Sequence, residues 1–183
     1  FTYVGNANTA QLQVTIQDDA PVVYNANVEV PESVTPSYAL VLVLDISGSM
    51  ANDGKLLLSK DSVGAFINEL GDKDRFEVMT FNVQPTMGFN KLRAADAAAK
   101  DDAVKFLAQQ QARGGTVLVP AITTAYKYGE ADRPLNVIIL SDGLTEQGER
   151  QTLLALIQSK PRNAHVFCIG VGNEVNKPLL EQL

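Results

Sequence analysis

The sequence predicts an α/β protein, a doubly wound and mostly parallel sheet with helices on both faces, preceded by a short β-rich segment. Three observations carry that prediction. Residues 39–44 (ALVLVL) and 136–140 (NVIIL) are continuous apolar runs of strand length, as strands buried on both faces of a parallel sheet require. Longer segments between and after them place apolar residues at helical spacing. From residue 37 onward the two kinds of segment alternate, the order of a chain built from strand–helix–strand units.

The first 36 residues follow another pattern. Leu12, Val14 and Ile16 alternate with polar residues, and so do Val22, Tyr24, Ala26, Val28 and Val30, which reads as two strands. Asp18, Asp19, Ala20 and Pro21 supply the turn between them. Residues 31–36, opened by Pro31 and closed by Pro36, read as a linker. Two strands alone are marginal in water, so this piece is expected to dock on the main domain or to be the remnant of an upstream β domain. The expected organisation is therefore a β-rich segment over 1–36 and an α/β domain over 37–183.

Within the second part, helices are expected over residues 55–70, 94–111, 116–128 and 149–158, and another begins near Val175. Strands are expected at 76–81 and 165–169, the latter buried, with a short edge strand within 83–88. The helix over 94–111 should turn Ala103, Phe106 and Leu107 inward, leaving Asp96, Lys100, Asp101 and Asp102 on a solvated face.

Composition excludes some functions. The net charge of −6 and the scattered lysines and arginines argue against nucleic acid as the main partner, because phosphate binding needs a basic patch and none appears. No apolar run approaches the roughly 18 residues that span a bilayer. The chain opens on Phe1 rather than Met, which reads as a processed or excised piece. The single cysteine, Cys168, has no second cysteine to pair with and reads as a small buried hydrophobe. His165, the single histidine, falls at a strand start and is given a structural role.

Chemistry concentrates at the carboxyl ends of the apolar strands, where open α/β sheets bind ligands. The first run ends in Asp45-Ile46-Ser47-Gly48-Ser49. Residues two apart in an extended segment project to one side, so Asp45, Ser47 and Ser49 can converge, and Gly48 allows a sharp turn between the hydroxyls. The second run ends in Ser141-Asp142-Gly143, and a third loop, Arg113-Gly114-Gly115-Thr116, brings a hydroxyl ahead of a helix. All these donors are oxygens. They suit hard cations such as Mg²⁺, Mn²⁺ or Ca²⁺, and the lack of His and Cys argues against zinc or copper.

On these motifs the chain resembles the von Willebrand factor A domain with its metal-ion-dependent adhesion site. Asp45-x-Ser47-x-Ser49, the Gly-Gly-Thr ending at Thr116 and the Ser-Asp-Gly around Asp142 stand in the family's order, and the resemblance runs from about residue 37 to the end. Asp-Ile-Ser-Gly-Ser-Met and the Ile169-Gly170-Val171-Gly172-Asn173 stretch look like its bacterial or inter-alpha-trypsin-inhibitor-like branch. The resemblance implies a Rossmann-like fold and a metal held by Asp45, Ser47, Ser49, Thr116 and Asp142. It further implies a partner protein whose Asp or Glu completes the ion's shell, no enzymatic activity, and extracellular or cell-surface placement. The family's domain continues past the helix near Val175 into a last strand and helix, which this sequence does not contain.

Plainer readings stand beside these. Asp45 to Ser49 could be a capped strand-to-helix turn, and Thr116 an N-cap. Arg113 could approach an acidic ligand or cap the preceding helix's carbonyl end. Two other functions compete with partner binding: a spacer domain stiffened by its ion, and a metal hydrolase, for which no general base is evident.

Overall fold

The computed structural model describes residues 2–6, 9–14, 26–30, 37–143 and 147–172. It divides into two compact units, Phe1–Pro36 and Ser37–Leu183. The first is an antiparallel three-stranded sheet, β1 (Thr2–Asn6), β2 (Thr9–Val14) and β3 (Ala26–Val30), in that order. Sequence reading missed β1, whose Thr-Tyr-Val-Gly-Asn has too little alternation to stand out. The expected turn at residues 18–21 and the linker at 31–36 lie outside the described residues.

The second unit is built on β4 (Ala39–Asp45), β5 (Arg75–Phe81), β6 (Pro85–Met87), β7 (Arg93–Ala94), β8 (Leu135–Ser141) and β9 (Ala164–Gly170). Its strand order is β6-β5-β4-β8-β9, with β7 also pairing with β5. Strands β5, β4, β8 and β9 are mutually parallel, whereas β6 and β7 run antiparallel to β5. The chain therefore steps from β4 to β5 on one side and returns to β8 on the other. This makes β4/β8 the switch point at which such sheets open a crevice.

Helices α1 (Lys55–Glu69) and α2 (Ala97–Ala108) cover one face, and α3 (Val119–Ala125) and α4 (Arg150–Gln158) the other. Alternation along β4 decides the two cores. Leu40, Leu42 and Leu44 pack with Val63, Ile67, Ala99, Ala103 and Leu107, while Val41 and Val43 pack with Ala121, Ile122, Ala125 and Leu153. Every residue of β4 is buried, which is why it reads as a run without polar breaks.

The first two helices cap each other. Lys60 on α1 donates to the Ala108 and Gln110 carbonyls at the end of α2, and Lys100 on α2 donates to Asn68 O and Leu70 O at the end of α1. Cations at carbonyl ends satisfy the groups that helices leave unpaired. Arg113, for which the sequence offered an acidic ligand or the carbonyl end of α2 as alternatives, is exposed. Asp96 is exposed, as expected of a solvated face, and is also the N-cap of α2, where it accepts from Ala99 N at 2.7 Å.

Other expectations are corrected. The helix expected over 116–128 starts at Val119 and ends in a 3₁₀ turn, Tyr126–Tyr128. The helix expected over 94–111 spans Ala97–Ala108; its start is delayed because Arg93 and Ala94 pair with β5. The strand at 165–169 is not buried on both faces. It forms β9, the last strand of the described sheet order, with Phe167 52% and Ile169 48% exposed. An apolar sequence cannot show whether each face of a strand is covered. The helix expected from Val175 lies outside the described residues. No described helix is long and apolar enough to cross a membrane.

Candidate metal centre

Parallel pairing brings the three motif loops to one edge. Asp45 is the last residue of β4 and Asp142 follows directly on β8, the neighbouring strand. Both carboxylates are fully buried. Asp45 Oδ1 accepts from Ser47 N at 2.8 Å and its Oδ2 accepts from Ser141 Oγ at 2.6 Å. Ser141 Oγ in turn accepts from Gly143 N at 2.9 Å. The aspartate is thus oriented from both strands before any ligand arrives.

Ser47 stands at the N-cap of a 3₁₀ turn, Gly48–Gly54, but makes no side-chain capping bond. Its hydroxyl lies 3.1 Å from that of Ser49. The plain reading of this segment as a capped turn therefore does not describe it. Gly48 matters for close approach: its N donates to Gly114 O at 2.9 Å, and a Cβ there would stand 3.2 Å from that same oxygen.

That contact, with Arg113 N donating to Ile46 O at 2.8 Å, ties the glycine-rich loop to the serine loop. Asn82, just past β5, holds the loop's other side. Its Nδ2 donates to Arg113 O at 3.2 Å, and its carbonyl accepts from Val117 N at 2.7 Å. Gly114 takes φ +76, a conformation that side chains resist. Thr116 is carried in by this loop and is 8% exposed. It does not cap α3, whose N-cap is Leu118; there Glu149 accepts from Leu118 N at 2.9 Å and Val119 N at 3.2 Å.

Of the five residues singled out, Asp45, Ser47 and Ser49 are joined by hydrogen bonds within one loop. Asp142 acts on Asp45 through its charge, and Thr116 arrives on the tethered third loop. Three more residues of this edge escaped the sequence reading: Ser141, Asn82 and Lys55, whose Nζ lies 3.2 Å from Asp142 Oδ2. Ser141 was visible in the Ser-Asp-Gly motif but had no assigned task. Asn82 stands just past a predicted strand end, a position that could have flagged it. Lys55 is separated from Asp142 by 87 residues, and no local pattern signals it.

Burial pushes the Asp45 carboxyl above its ordinary range. The bonds from Ser141 and Ser47 pull it back, and the neighbouring Asp142 charge pushes it further up. Two adjacent buried acids carry one more negative charge than the Lys55 ammonium beside Asp142 offsets, and like charges held together are unfavourable, so the donor set suits a positive ion. Two carboxylates and hydroxyls fit a hard divalent cation better than a soft one. Among the described residues no three of His, Cys, Asp and Glu gather, so the candidate donor set consists of two carboxylates completed by hydroxyls.

Residues 38–183 match the sequence profile of the von Willebrand factor type A domain. The chain belongs to that family. Among curated relatives it is 27% identical over 168 residues to mouse inter alpha-trypsin inhibitor, heavy chain 4, covering 84% of this chain and 18% of that protein. Among solved structures, a von Willebrand factor type A protein from Catenulispora acidiphila superposes with a TM-score of 0.72 at 21% identity, covering 96% of this chain and 40% of that one. Proximal thread matrix protein 1 of the mussel byssus superposes with a TM-score of 0.65 at 22% identity, covering 80% of this chain and 39% of that one. The fold is the Rossmann-like type A fold expected from the sequence, and the inter-alpha-trypsin-inhibitor-like resemblance agrees with the first relative. The chain spans less than a fifth of that relative's length.

Proposed function

We propose that this type A domain is a divalent-cation-dependent protein-binding module. Asp45, Ser47, Ser49, Thr116 and Asp142 would hold Mg²⁺, with Mn²⁺ or Ca²⁺ as substitutes, and a partner's Asp or Glu would complete the shell. The observation that carries the reading is the pair of fully buried aspartates at the β4/β8 switch point, with uncapping serine hydroxyls beside them. When bound, the ion supplies an electrophilic position that holds water until a carboxylate replaces it. The chain's own work is to hold Asp45 between Ser47 N and Ser141 Oγ and to keep the three loops in register.

The setting we infer is adhesion or assembly at the cell surface or outside the cell. The matrix protein of the mussel byssus and the inhibitor heavy chain among its relatives support that inference. A hydrolase is a poorer reading. His165 pairs with Asn136 near the amino end of β9, away from the carboxyl edge, and the Lys55 amine is committed to Asp142. Neither is placed as a general base for a metal-bound water.

Selection of a random peptide library on the immobilised chain tests the proposal. Binding in Mg²⁺ and elution with EDTA should enrich peptides bearing Asp or Glu, and exchange of that residue for Asn or Gln should abolish binding. Peptides that hold equally well in EDTA, or that need no acid, would contradict it.

A further inference from the structure

Lys55 opens α1, and its side chain is 7% exposed. A cation at a helix N-terminus opposes the helix dipole, and a buried ammonium is costly unless paired. Both costs fall at the position from which the amine reaches Asp142 Oδ2 at 3.2 Å. The placement is enforced from two sides. The turn before α1 passes through Asp53 at φ 54 and Gly54 at φ +69 to deliver the lysine. Opposite, the loop after β9 closes on its stem: a Cβ at Gly172, itself at φ +97, would lie 2.7 Å from Lys55 Cε and 3.2 Å from Cδ. The glycine leaves room for the lysine stem, whose far end would otherwise have to shift. A solvated surface lysine would need none of this.

We propose that Lys55 sets the charge of the cation site, so that the bound ion keeps a net positive charge and selects an anionic ligand, at some expense of cation affinity. The inference rests on the metal-binding reading above. The negative charges of Asp45 and Asp142 cancel the two positive charges of the ion. The ammonium beside Asp142 then leaves one positive charge over, which a partner carboxylate neutralises. Without the lysine, the same carboxylate would bring an uncompensated negative charge to a largely buried site, where unpaired charge is strongly disfavoured. Lys55 therefore weakens the hold on the ion and strengthens the preference for a carboxylate over water.

Mn²⁺ and acetate serve as probes. Free Mn²⁺ is followed by electron paramagnetic resonance as the metal is titrated into the wild type, Lys55→Met and Lys55→Gln. Acetate is then titrated into each loaded protein while water-proton relaxation reports loss of metal-bound water. Both variants should bind Mn²⁺ about tenfold more tightly, equivalent to 1.4 kcal/mol, and acetate several-fold more weakly. Mn²⁺ affinities that agree within about twofold among the three proteins would overturn the proposal. So would weaker Mn²⁺ binding in folded variants, which would make Lys55 a positioning residue for Asp142. Lys55→Gln keeps a donor without the charge, so wild-type behaviour of that variant alone would assign the effect to hydrogen bonding and also overturn the proposal. Loss of folding in both variants, read by circular dichroism with Mn²⁺ present, would assign the lysine to folding and overturn it too. A wild type that does not bind Mn²⁺ removes the cation site itself, a separate result.

Discussion

At the scale of single residues, Asp45 is held by Ser47 N and Ser141 Oγ, and Asp142 lies against the Lys55 amine. Asp45, Ser47 and Ser49 could be read because a strand end places alternate residues on one side. Ser141, Asn82 and Lys55 could not, since their tasks depend on contacts across loops. Glu77 is a further case, hidden within an apolar strand and fully buried. It accepts from Val78 N at 2.9 Å, Phe89 N at 2.8 Å, Lys91 N at 3.0 Å and Tyr128 Oη at 3.2 Å, so one carboxyl pins the segment after β6. Glu77→Ala leaves three backbone donors without that acceptor, and urea unfolding should show a loss of about 3 kcal/mol or more. Burial lifts the Glu77 carboxyl above its ordinary 4.5, against the pull of those hydrogen bonds. Between that value and the raised one, the folded state keeps a proton that the unfolded state has lost. Stability therefore falls as pH rises through the window and levels off above it. Compared with Glu77→Gln, the wild type should show this decline in urea midpoints measured from pH 4 upward; parallel curves would contradict it.

At the scale of elements, the loops carry what the periodicity of strands and helices cannot. Helical spacing located α1 well, but placed the start of α3 at Thr116 rather than Val119. The glycine loop is tied outside the helix by bonds to Ile46, Gly48 and Asn82, and tertiary bonds of this kind leave no mark on spacing. Likewise, the reciprocal lysine caps of α1 and α2 join residues 30 or more positions apart. Gly114 makes the loop testable. Its φ of +76 places it where a Cβ is strained, and that Cβ would also meet Asn82 Nδ2 at 3.4 Å. Gly114→Ala should cost about 1 kcal/mol or more in stability. It should weaken Mg²⁺ binding as well, because the loop positions Thr116 against the serine loop. Thermal melts with and without Mg²⁺ would check both effects, and an unchanged Mg²⁺-induced shift would show that the loop does not shape the site.

At the scale of the whole molecule, the fully apolar runs of β4 and β8 made the parallel sheet legible, and the sheet then dictated where function would lie. Strand order was less accessible: β9 has the same apolar look but half its side chains are exposed. Three loops meet at the β4/β8 crevice, and the proposed function makes them a single divalent-cation site. A ligand that binds only the folded state raises stability in proportion to its affinity, by about 2.7 kcal/mol at a hundred times its dissociation constant, so the site would couple cation supply to the integrity of the domain. Isothermal titration of Mg²⁺ into the wild-type chain and into Asp45→Ala tests the claim most directly. The account predicts one Mg²⁺ per wild-type chain and no measurable binding to an Asp45→Ala variant that remains folded. Equal binding by the two proteins, or none by the wild type, would contradict it.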